Sequence, residues 1–181
     1  SDPGPPLDDV QAVQQLRELM TQSVRNRLIS DVPLGAFLSG GLDSSIVVAL
    51  LSKLVAGKEI RTFSINFEGD PRYNETRYAN EAAERFGTRH TVFTVTTQSF
   101  DLLERLVWHH DQPFGDSSAI PTYLLSKLTR SQVTVALTGD GGDELFAGYD
   151  RFTASLLAER LPRPLRVAAS GLARLLPAGA S

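Results

Sequence analysis

The stretch LSGGLDSS, residues 38–45, places two glycines, three serines and one aspartate between two apolar segments. Residues 34–38 are predicted to form a short buried strand, and residues 44–54 an apolar helix. Gly40 and Gly41 let the backbone approach an anion, which the serine hydroxyls and the N–H groups at the start of the helix can bind. This strand–loop–helix unit predicts a phosphate-binding loop, although a turn followed by a helix cap explains the same residues if they are taken alone.

A second loop rich in glycine and aspartate, TGDGGDE at residues 138–144, follows a strand predicted at residues 133–137. In an open α/β sheet ligands bind beyond the carboxyl ends of the strands, where both loops are expected. Asp43 in the first loop and Asp143 in the second would repel each other, and a phosphate, unless a cation lay between them. Because Mg²⁺ prefers carboxylate and phosphate oxygens, the two loops predict a magnesium–nucleotide site. The first loop has neither the Gly-Lys-Ser/Thr ending of a Walker A loop nor the GxGxxG spacing.

Predicted strands alternate with predicted helices along the chain. The remaining strands are expected at residues 60–67 and 90–95, and the remaining helices at residues 7–29, 74–86, 99–108 and 121–130. This order predicts an α/β fold with a mainly parallel sheet of about five strands and helices on both faces. His109 and His110, followed by Asp111, are interpreted as residues at a helix end rather than as metal ligands.

The composition of the 181 residues is that of an ordinary globular protein with a net charge of −3, which argues against a general nucleic-acid-binding protein. The absence of cysteine excludes disulfides, thiol nucleophiles and cysteine-bound metals, and it fits a cytoplasmic protein. No apolar stretch approaches the roughly 20 residues of a membrane-spanning helix, and the start of the chain lacks the pattern of a signal peptide. We therefore expect neither a membrane nor a nucleic-acid partner.

Residues 39–44, SGGLDS, resemble the PP-loop, the SGGxDS pyrophosphate-binding motif of N-type ATP pyrophosphatases. Four longer stretches, PLGAFLSGGLDSS, YNETRYANEAAERFG, DQPFGDSSAIPTYLLSK and VALTGDGGDELFAGYDRF, together resemble the C-terminal synthetase domain of glutamine-dependent asparagine synthetases. The resemblance covers about residues 10–152 and implies an adenine nucleotide α-hydrolase-like fold. It implies a PP-loop synthetase domain at residues 9–152, preceded by a linker at residues 1–8 and followed by the truncated start of a C-terminal helical region at residues 153–181.

The resemblance also implies roles for individual positions. The implied ATP-binding residues are Leu38, Ser39, Gly40, Gly41, Asp43, Ser44, Ser45, Ser64, Ile65 and Gly139. Asp43 and Asp143 are the implied ligands of Mg²⁺. Asp116, Ser117, Ser118 and Asp140 are implied near the acidic substrate, and Asp116 and Asp140 are the candidates for catalytic roles. Asp140 stands where the family more usually has Glu, so its carboxylate is shorter and the identity of the acyl substrate stays open.

The implied reaction is a two-step amide synthesis from aspartate or a similar carboxylic acid. The side-chain carboxylate attacks the α-phosphorus of ATP, pyrophosphate leaves, and ammonia then displaces AMP. The protein has to align the reactants and stabilise the charge that develops on pyrophosphate, which the serine hydroxyls, loop N–H groups and Mg²⁺ are suited to do. In the family the ammonia comes from a glutaminase domain of the same parent chain.

Two residues that the family uses are expected to be missing from this chain. The glutaminase domain carries a cysteine, and a lysine beyond the DELFAGY stretch helps adenylation, but this chain has no cysteine and only Lys53, Lys58 and Lys127. The resemblance therefore implies an ATP-binding core fragment that is inactive alone. Two alternatives stay open: a relative acting on another carboxylate, such as a β-lactam synthetase or an amidotransferase for a sugar or peptide, and a nucleotide-binding module without activity. A homodimer is compatible with all three.

Overall fold

Helices and strands alternate along the computed structural model, which describes residues 8–68, 76–95, 102–112, 115–116, 118–160 and 162. The elements are α1 (Asp9–Arg27), β1 (Leu34–Phe37), α2 (Leu42–Leu54), β2 (Arg61–Phe67), α3 (Thr76–Phe86), β3 (Arg89–Val95), α4 (Leu102–His110), α5 (Ala119–Thr129), β4 (Val135–Leu137), α6 (Gly142–Phe146) and α7 (Asp150–Arg160). They form two compact units, Ser1–Gly139 and Asp140–Ser181. Every predicted strand is present, and the predicted helices are present where their residues are described.

The sheet lies in the first unit and is parallel throughout, with the strand order β3-β2-β1-β4. It has four strands within the described residues, one fewer than the approximate count expected from the sequence. Strand β4 begins two residues later than predicted, and the N–H groups of Thr134 and Val135 both donate to the Pro33 carbonyl, at 2.9 and 3.3 Å. The α/β class and the parallel sheet are confirmed.

Helices cover both faces of this sheet, as predicted. The chain moves outward from β1 to β2 and β3 through α2 and α3, and then returns across the sheet to β4 through α4 and α5. Right-handed crossovers in opposite directions place the two pairs of helices on opposite faces. On one face Ala36 and Leu38 pack with Val48 of α2 and Ala83 of α3. On the other, the rings of Phe63 and Phe93 stack at 6.0 Å, and α5 contacts β2.

The strand order decides where a ligand can bind. Strand β1 is followed in the chain by β2 on one side, while β4 lies on its other side. Such a reversal of strand order opens a crevice at the carboxyl edge of a parallel sheet. Ala36 of β1 pairs with Leu137 of β4, so the loops that leave these two strands start side by side.

Helix α1 packs through its last turns. Val24 is buried, and Leu28 packs on the same core as α2. Val10, Val13 and Leu19 are exposed, so the apolar face expected along residues 7–29 is covered only near its C-terminal end within the described chain. None of the helices in the described ranges is long and apolar enough to cross a membrane.

The second unit begins with α6 and α7. Tyr149 donates a hydrogen bond to Glu144 at 2.5 Å, and the guanidinium of Arg151 lies 4.2 Å from the centre of the Tyr149 ring. The hydrogen bond lowers the pKa of the Glu144 carboxyl and raises the pKa of the Tyr149 phenol. Helix α7 buries no side chain. The helical region expected at residues 153–181 includes the end of α7, and most of the rest lies outside the described residues.

Candidate functional site

The first Gly-rich loop, residues 38–45, is held in shape by its own serine side chains. The Ser39 and Ser44 hydroxyl oxygens lie 3.0 Å apart, and the Ser39 Oγ also accepts the Gly41 N–H at 3.2 Å. The Ser44 Oγ accepts the Ser39 N–H and donates to the Gly41 carbonyl, each at 3.3 Å. Ser44 is buried, so its hydroxyl closes the loop, whereas Ser39 is exposed. The loop therefore keeps its turn without help from a ligand.

Gly40 allows this loop to contact the backbone of α3. Its φ is +85°, and a Cβ built on it would meet the carbonyl carbon of Tyr78 and lie 2.5 Å from the Ala79 nitrogen. Both the left-handed conformation and the close contact require a glycine. The sequence suggested a close approach to an anion at this position, and the structure adds a packing role that the sequence did not suggest.

Helix α2 starts directly from the loop, and no side chain caps it. Its N-cap residue is Gly41, which provides no side-chain acceptor for the N–H groups of the first turn. Asp43 lies in that turn and is half-buried, and Ser45 follows it on the same helix. The positive end of the helix dipole stabilises the Asp43 carboxylate and would also attract a phosphate.

The loop that follows β4 lies against this helix start. A Cβ on Gly139 would be 2.7 Å from the Ser44 nitrogen and 2.9 Å from the Asp43 carbonyl carbon. No side chain fits there without moving the backbone of α2. Gly139 thus lies against Asp43 and Ser44, which are about 100 residues away in the sequence, as the parallel sheet predicted.

Three predicted nucleotide contacts lie level with the end of β1, since Leu38 directly follows β1 and Ser64 and Ile65 lie in the middle of β2. Leu38 is 1% exposed and donates its N–H to the Phe63 carbonyl at 2.9 Å, so only its backbone carbonyl remains for a ligand. Ser64 is buried, and its Oγ lies 3.1 Å from the Nε2 of His90. Ile65 pairs with Phe93 and is half-buried.

Asp116 and Ser118 form a small turn at the start of α5. One carboxylate oxygen of Asp116 accepts both the backbone N–H and the hydroxyl of Ser118, each at 2.8 Å. These hydrogen bonds, the backbone one foremost, hold the pKa of the exposed Asp116 carboxyl below its ordinary value. Asp116 lines a groove of about 300 Å³ between α4 and α5 together with Leu106 and Val107. Ser117 lies outside the described residues.

Asp140 and Asp143 belong to the second unit. Asp143 lies in the first turn of α6, which follows Gly141 at a φ of +90°, and it is half-buried. A Cβ on Gly148 would meet the Asp143 carboxylate, so Gly148 leaves room for that side chain. Asp43 belongs to the first unit, and the pairing of Asp43 with Asp143 stays a prediction. Within the described ranges, no group of three or more histidines or acidic residues gathers around a potential metal position.

The sequence did not reveal a polar cluster formed by Thr62, Thr88, His90 and Ser64, of which Thr62 and Ser64 are buried and Thr88 and His90 half-buried. The Thr62 Oγ1 lies 2.8 Å from the Thr88 Oγ1 and 2.9 Å from the His90 Nδ1. A signal was present, because the polar residues Thr62, Ser64 and Asn66 alternate along β2 and must share one face of the sheet. That face is buried, so each side chain needs a hydrogen-bond partner.

Comparison with known proteins gives a consistent result. The family model described as asparagine synthase matches residues 15–180. A putative glutamine-hydrolysing asparagine synthetase 2 from Methanocaldococcus jannaschii is 41% identical over 172 residues, which are 93% of this chain and 33% of the relative. Glutamine-hydrolysing asparagine synthetase 1 from Bacillus subtilis is 36% identical over 171 residues, 92% of this chain and 27% of the relative. The chain thus spans a third or less of the length of these relatives.

Among solved structures, an NH3-dependent NAD synthetase from Campylobacter jejuni in complex with the nitrate ion matches with a TM-score of 0.49 and 14% identity. The match covers 75% of this chain and 60% of the synthetase.

Proposed function

Because the chain belongs to the asparagine synthase family, we propose that it is the ATP-binding core of an enzyme that forms an amide from a carboxylic acid and ammonia. The observation that carries the proposal is the contact of Gly139, just after β4, with the start of α2. Gly139 lies against the uncapped first turn of α2, where backbone N–H groups and the helix dipole favour a phosphate. This contact lies at the reversal of strand order, where open parallel sheets bind nucleotides.

Different residues around this contact are proposed to bind different parts of the nucleotide. The phosphates of ATP lie over residues 39–45, which contribute the Ser39 and Ser45 hydroxyls and the N–H groups of the uncapped first turn of α2, while Ser44 keeps the loop closed. Gly139 lets the backbone after β4 pack directly against the first turn of α2, beside the proposed phosphates. The adenine and ribose lie at the strand ends, near the backbone of Leu38 and near Ser64 and Ile65.

The carboxylate oxygens at the site are suitable ligands for magnesium. Asp43 supplies a half-buried carboxylate beside the proposed phosphates, and Asp143 is the second candidate. A magnesium ion bound to a nucleotide commonly needs only one or two carboxylates, because phosphates and waters complete its shell. Bound there, the ion would neutralise phosphate charge that Asp43 would otherwise repel.

The proposed reaction begins with attack of the substrate carboxylate oxygen on the α-phosphorus of ATP. The bond to the bridging oxygen breaks, pyrophosphate leaves, and an acyl-adenylate remains. Ammonia then adds to the acyl carbon, loses a proton, and AMP leaves as the amide forms. The protein aligns the two reactants and stabilises the negative charge on pyrophosphate through hydroxyl and N–H donors.

The finer assignments follow the family. We propose aspartate as the acid, asparagine as the product, and glutamine as the source of ammonia through a glutaminase domain of the parent chain. Asp116 and Ser118, with Ser117 and Asp140, are proposed near the acid. The isolated chain is proposed to bind ATP without completing the reaction, since it spans a third or less of relatives named as synthetases. The cytoplasm stays the predicted compartment.

A second candidate is favoured by Asp140, where the family more usually has Glu. A shorter carboxylate leaves more room for the acid, so the parent could amidate or cyclise a different carboxylate. ATP–pyrophosphate exchange by the full-length parent, measured with a panel of carboxylic acids, separates the candidates. Stimulation by aspartate alone supports asparagine synthesis, and stimulation only by another acid contradicts it.

The ATP site itself is tested by titration calorimetry with Mg·ATP. We expect saturable binding to the chain, and at least a tenfold loss of affinity in Asp43→Ala, which is about 1.4 kcal/mol. Asp9→Ala is the matched control, since Asp9 also lies in the first turn of a helix, but of the capped helix α1. Equal affinity of Asp43→Ala and Asp9→Ala, or no binding by the unmodified chain, would contradict the proposal.

A further inference from the structure

Four side chains on β2, β3 and the turn before β3 form a continuous hydrogen-bonded row, here called the hydroxyl–imidazole chain. Thr88 and Thr62 are joined through their hydroxyls at 2.8 Å, and Thr62 lies 2.9 Å from the Nδ1 of His90. The Nε2 of His90 lies 3.1 Å from the Ser64 hydroxyl oxygen. Thr62 is fully buried and Ser64 is 7% exposed, so water cannot easily replace these bonds.

The row ends beside the first Gly-rich loop. Thr62 pairs with Ala36 of β1 and with His90 of β3, so the row lies on the same face of the sheet as Ala36. Helix α3 covers this face, and its Ala79 and Ala83 are buried there. Ser64 follows Phe63, whose carbonyl accepts the Leu38 N–H at 2.9 Å. Ser64 is therefore level with the point where β1 becomes the loop.

The hydrogen atoms available in the hydroxyl–imidazole chain link the hydrogen bonding at its two ends, Thr88 and Ser64. Burial lowers the pKa of His90, against a smaller opposing effect of Thr62, so the ring is neutral at pH 7 and carries one N–H. The three hydroxyls and this N–H supply four protons for three links. One proton is therefore left over, and because Thr62 is fully buried with both of its neighbours in the row, we assign that proton to one of the two ends, Thr88 or Ser64.

The tautomer of His90 decides which end carries that proton. If Nε2 carries the hydrogen, it donates to Ser64, and the Ser64 hydroxyl is free to donate outward. If Nδ1 carries it, Ser64 donates to the ring and offers only lone pairs outward. The ring thus sets whether Ser64 acts outward as a donor or as an acceptor.

The same face continues past Ser64 toward the carboxyl end of β2. Asn66 is the next residue on that face, and its Oδ1 is buried without a hydrogen-bond partner among the described residues. A buried acceptor without a donor is costly. Asn66 is thus suited to receive a donor from a bound group, at the edge where the nucleotide is proposed to bind.

We propose that His90 is a positioning residue for the nucleotide, which through Nε2 fixes the Ser64 hydroxyl as a hydrogen-bond partner of the nucleoside part of ATP. This inference rests on the proposed ATP site and adds to it a residue that does not touch the ligand. A purely structural row would stabilise the sheet under α3 and leave ATP affinity unchanged at equal stability.

Two substitutions of His90 separate these roles, because each keeps a different half of the row. The amide of Asn reaches the position of Nδ1, so His90→Asn keeps the bond to Thr62 and loses the bond to Ser64. The longer Gln reaches the position of Nε2, so His90→Gln keeps the bond to Ser64. Calorimetry with Mg·ATP should show affinity within about twofold of the unmodified chain for His90→Gln, and about a fivefold loss for His90→Asn, as for one hydrogen bond.

His109→Gln is the control for these titrations, since His109 is exposed on α4, and thermal unfolding of each variant reports its stability. Equal affinities of the Asn and Gln variants, or affinities that follow stability alone, would overturn the role of His90. If the unmodified chain does not bind Mg·ATP, the proposed function fails and this inference with it. Normal binding by the unmodified chain with no difference between the variants removes only the inference.

A spectroscopic test does not depend on the folding of these variants. The chain has three histidines, and His109→Gln and His110→Gln identify their two imidazole signals, which leaves the third to His90. Imidazole nitrogen NMR of the unmodified chain should show a neutral His90 whose nitrogen shifts change at saturating Mg·ATP. Ser64→Ala, which removes the link between the ring and the ligand, should bind Mg·ATP more weakly and should abolish that change at concentrations that saturate this variant. Unchanged His90 nitrogen shifts at saturation would contradict the proposal.

Discussion

Helices α1 and α2 begin in opposite ways, although each carries an aspartate in its first turn. At α1 the Asp8 carboxylate accepts the Gln11 N–H at 2.8 Å, and the Gln11 side chain accepts the Asp8 N–H at 3.4 Å. At α2 the cap is Gly41, and the nearest hydroxyl, Ser44, bonds within the loop instead. A helix that serves only the fold satisfies its own N–H groups, whereas α2 keeps its first turn available for a ligand.

The second contrast between the two helix starts is the number of close backbone contacts. The start of α2 has glycines on both sides of it, Gly40 against α3 and Gly139 against the first turn itself. Side chains are excluded from both positions, whereas Asp8 at the start of α1 has room for the side chain that caps the helix. The contrast predicts that substitutions around α2 affect binding, and that substitutions at the start of α1 affect only stability.

The largest effect is expected from Gly40→Ala. The left-handed conformation alone costs about 1–2 kcal/mol for a residue with a side chain, and the new Cβ would also collide with the backbone of α3. We expect a loss of more than about 2 kcal/mol in the free energy of unfolding, measured by denaturant titration, and no detectable Mg·ATP binding.

Gly57→Ala is the matched control for Gly40→Ala. Gly57 has a φ of +84°, almost the same as Gly40, but nothing lies within 4 Å of a Cβ built on it. It therefore measures the conformational cost without the collision. Equal losses of stability in the two variants would show that the contact of Gly40 with α3 has no energetic importance.

An intermediate effect is expected from Gly139→Ala. Its Cβ would lie 2.7 Å from the Ser44 nitrogen and would push residue 139 away from α2. We expect Mg·ATP affinity to fall by at least about tenfold in calorimetry. Gly115→Ala, where nothing lies within 4 Å of the added Cβ, is the control. If both variants bind Mg·ATP equally well, the contact of Gly139 with α2 does not shape the site.

The smallest effect on binding is expected from Asp8→Ala. Loss of the capping box should lower the free energy of unfolding by about 1 kcal/mol. Mg·ATP affinity should stay unchanged because Asp8 caps the other helix. A weaker affinity at a temperature where the variant is fully folded would show that the two helix starts are not independent.

Local patterns in the sequence were sufficient to place most elements. The strand predicted at residues 60–67 is β2, Arg61–Phe67, and the alternation of strands and helices predicted the parallel sheet. The contact of Gly139 with the start of α2 followed from the rule that ligands bind at the carboxyl ends of such strands. The strand order was not predictable in the same way, because it depends on which direction each crossover takes.

Contacts between distant residues account for what the sequence did not predict. Gly40 was interpreted as a glycine for an anion, since its contact with Ala79 becomes visible only when α3 is packed on the loop. His90 was assigned to a strand without a role, because its partner Thr62 is 28 residues away. The exposed Val10 and Val13 on α1 have the spacing of a core face, and periodicity alone does not report what covers such a face.

Backbone amide shifts during an NMR titration with Mg·ATP test the difference between the two helix starts most directly. If phosphates bind the uncapped turn of α2, the N–H signals of Leu42, Asp43 and Ser44 should move and saturate together. Those of Val10 and Gln11, in the capped first turn of α1, should stay in place. Unmoved signals in α2 at saturating Mg·ATP, or equal movements at both helix starts, would contradict an ATP site at the first Gly-rich loop.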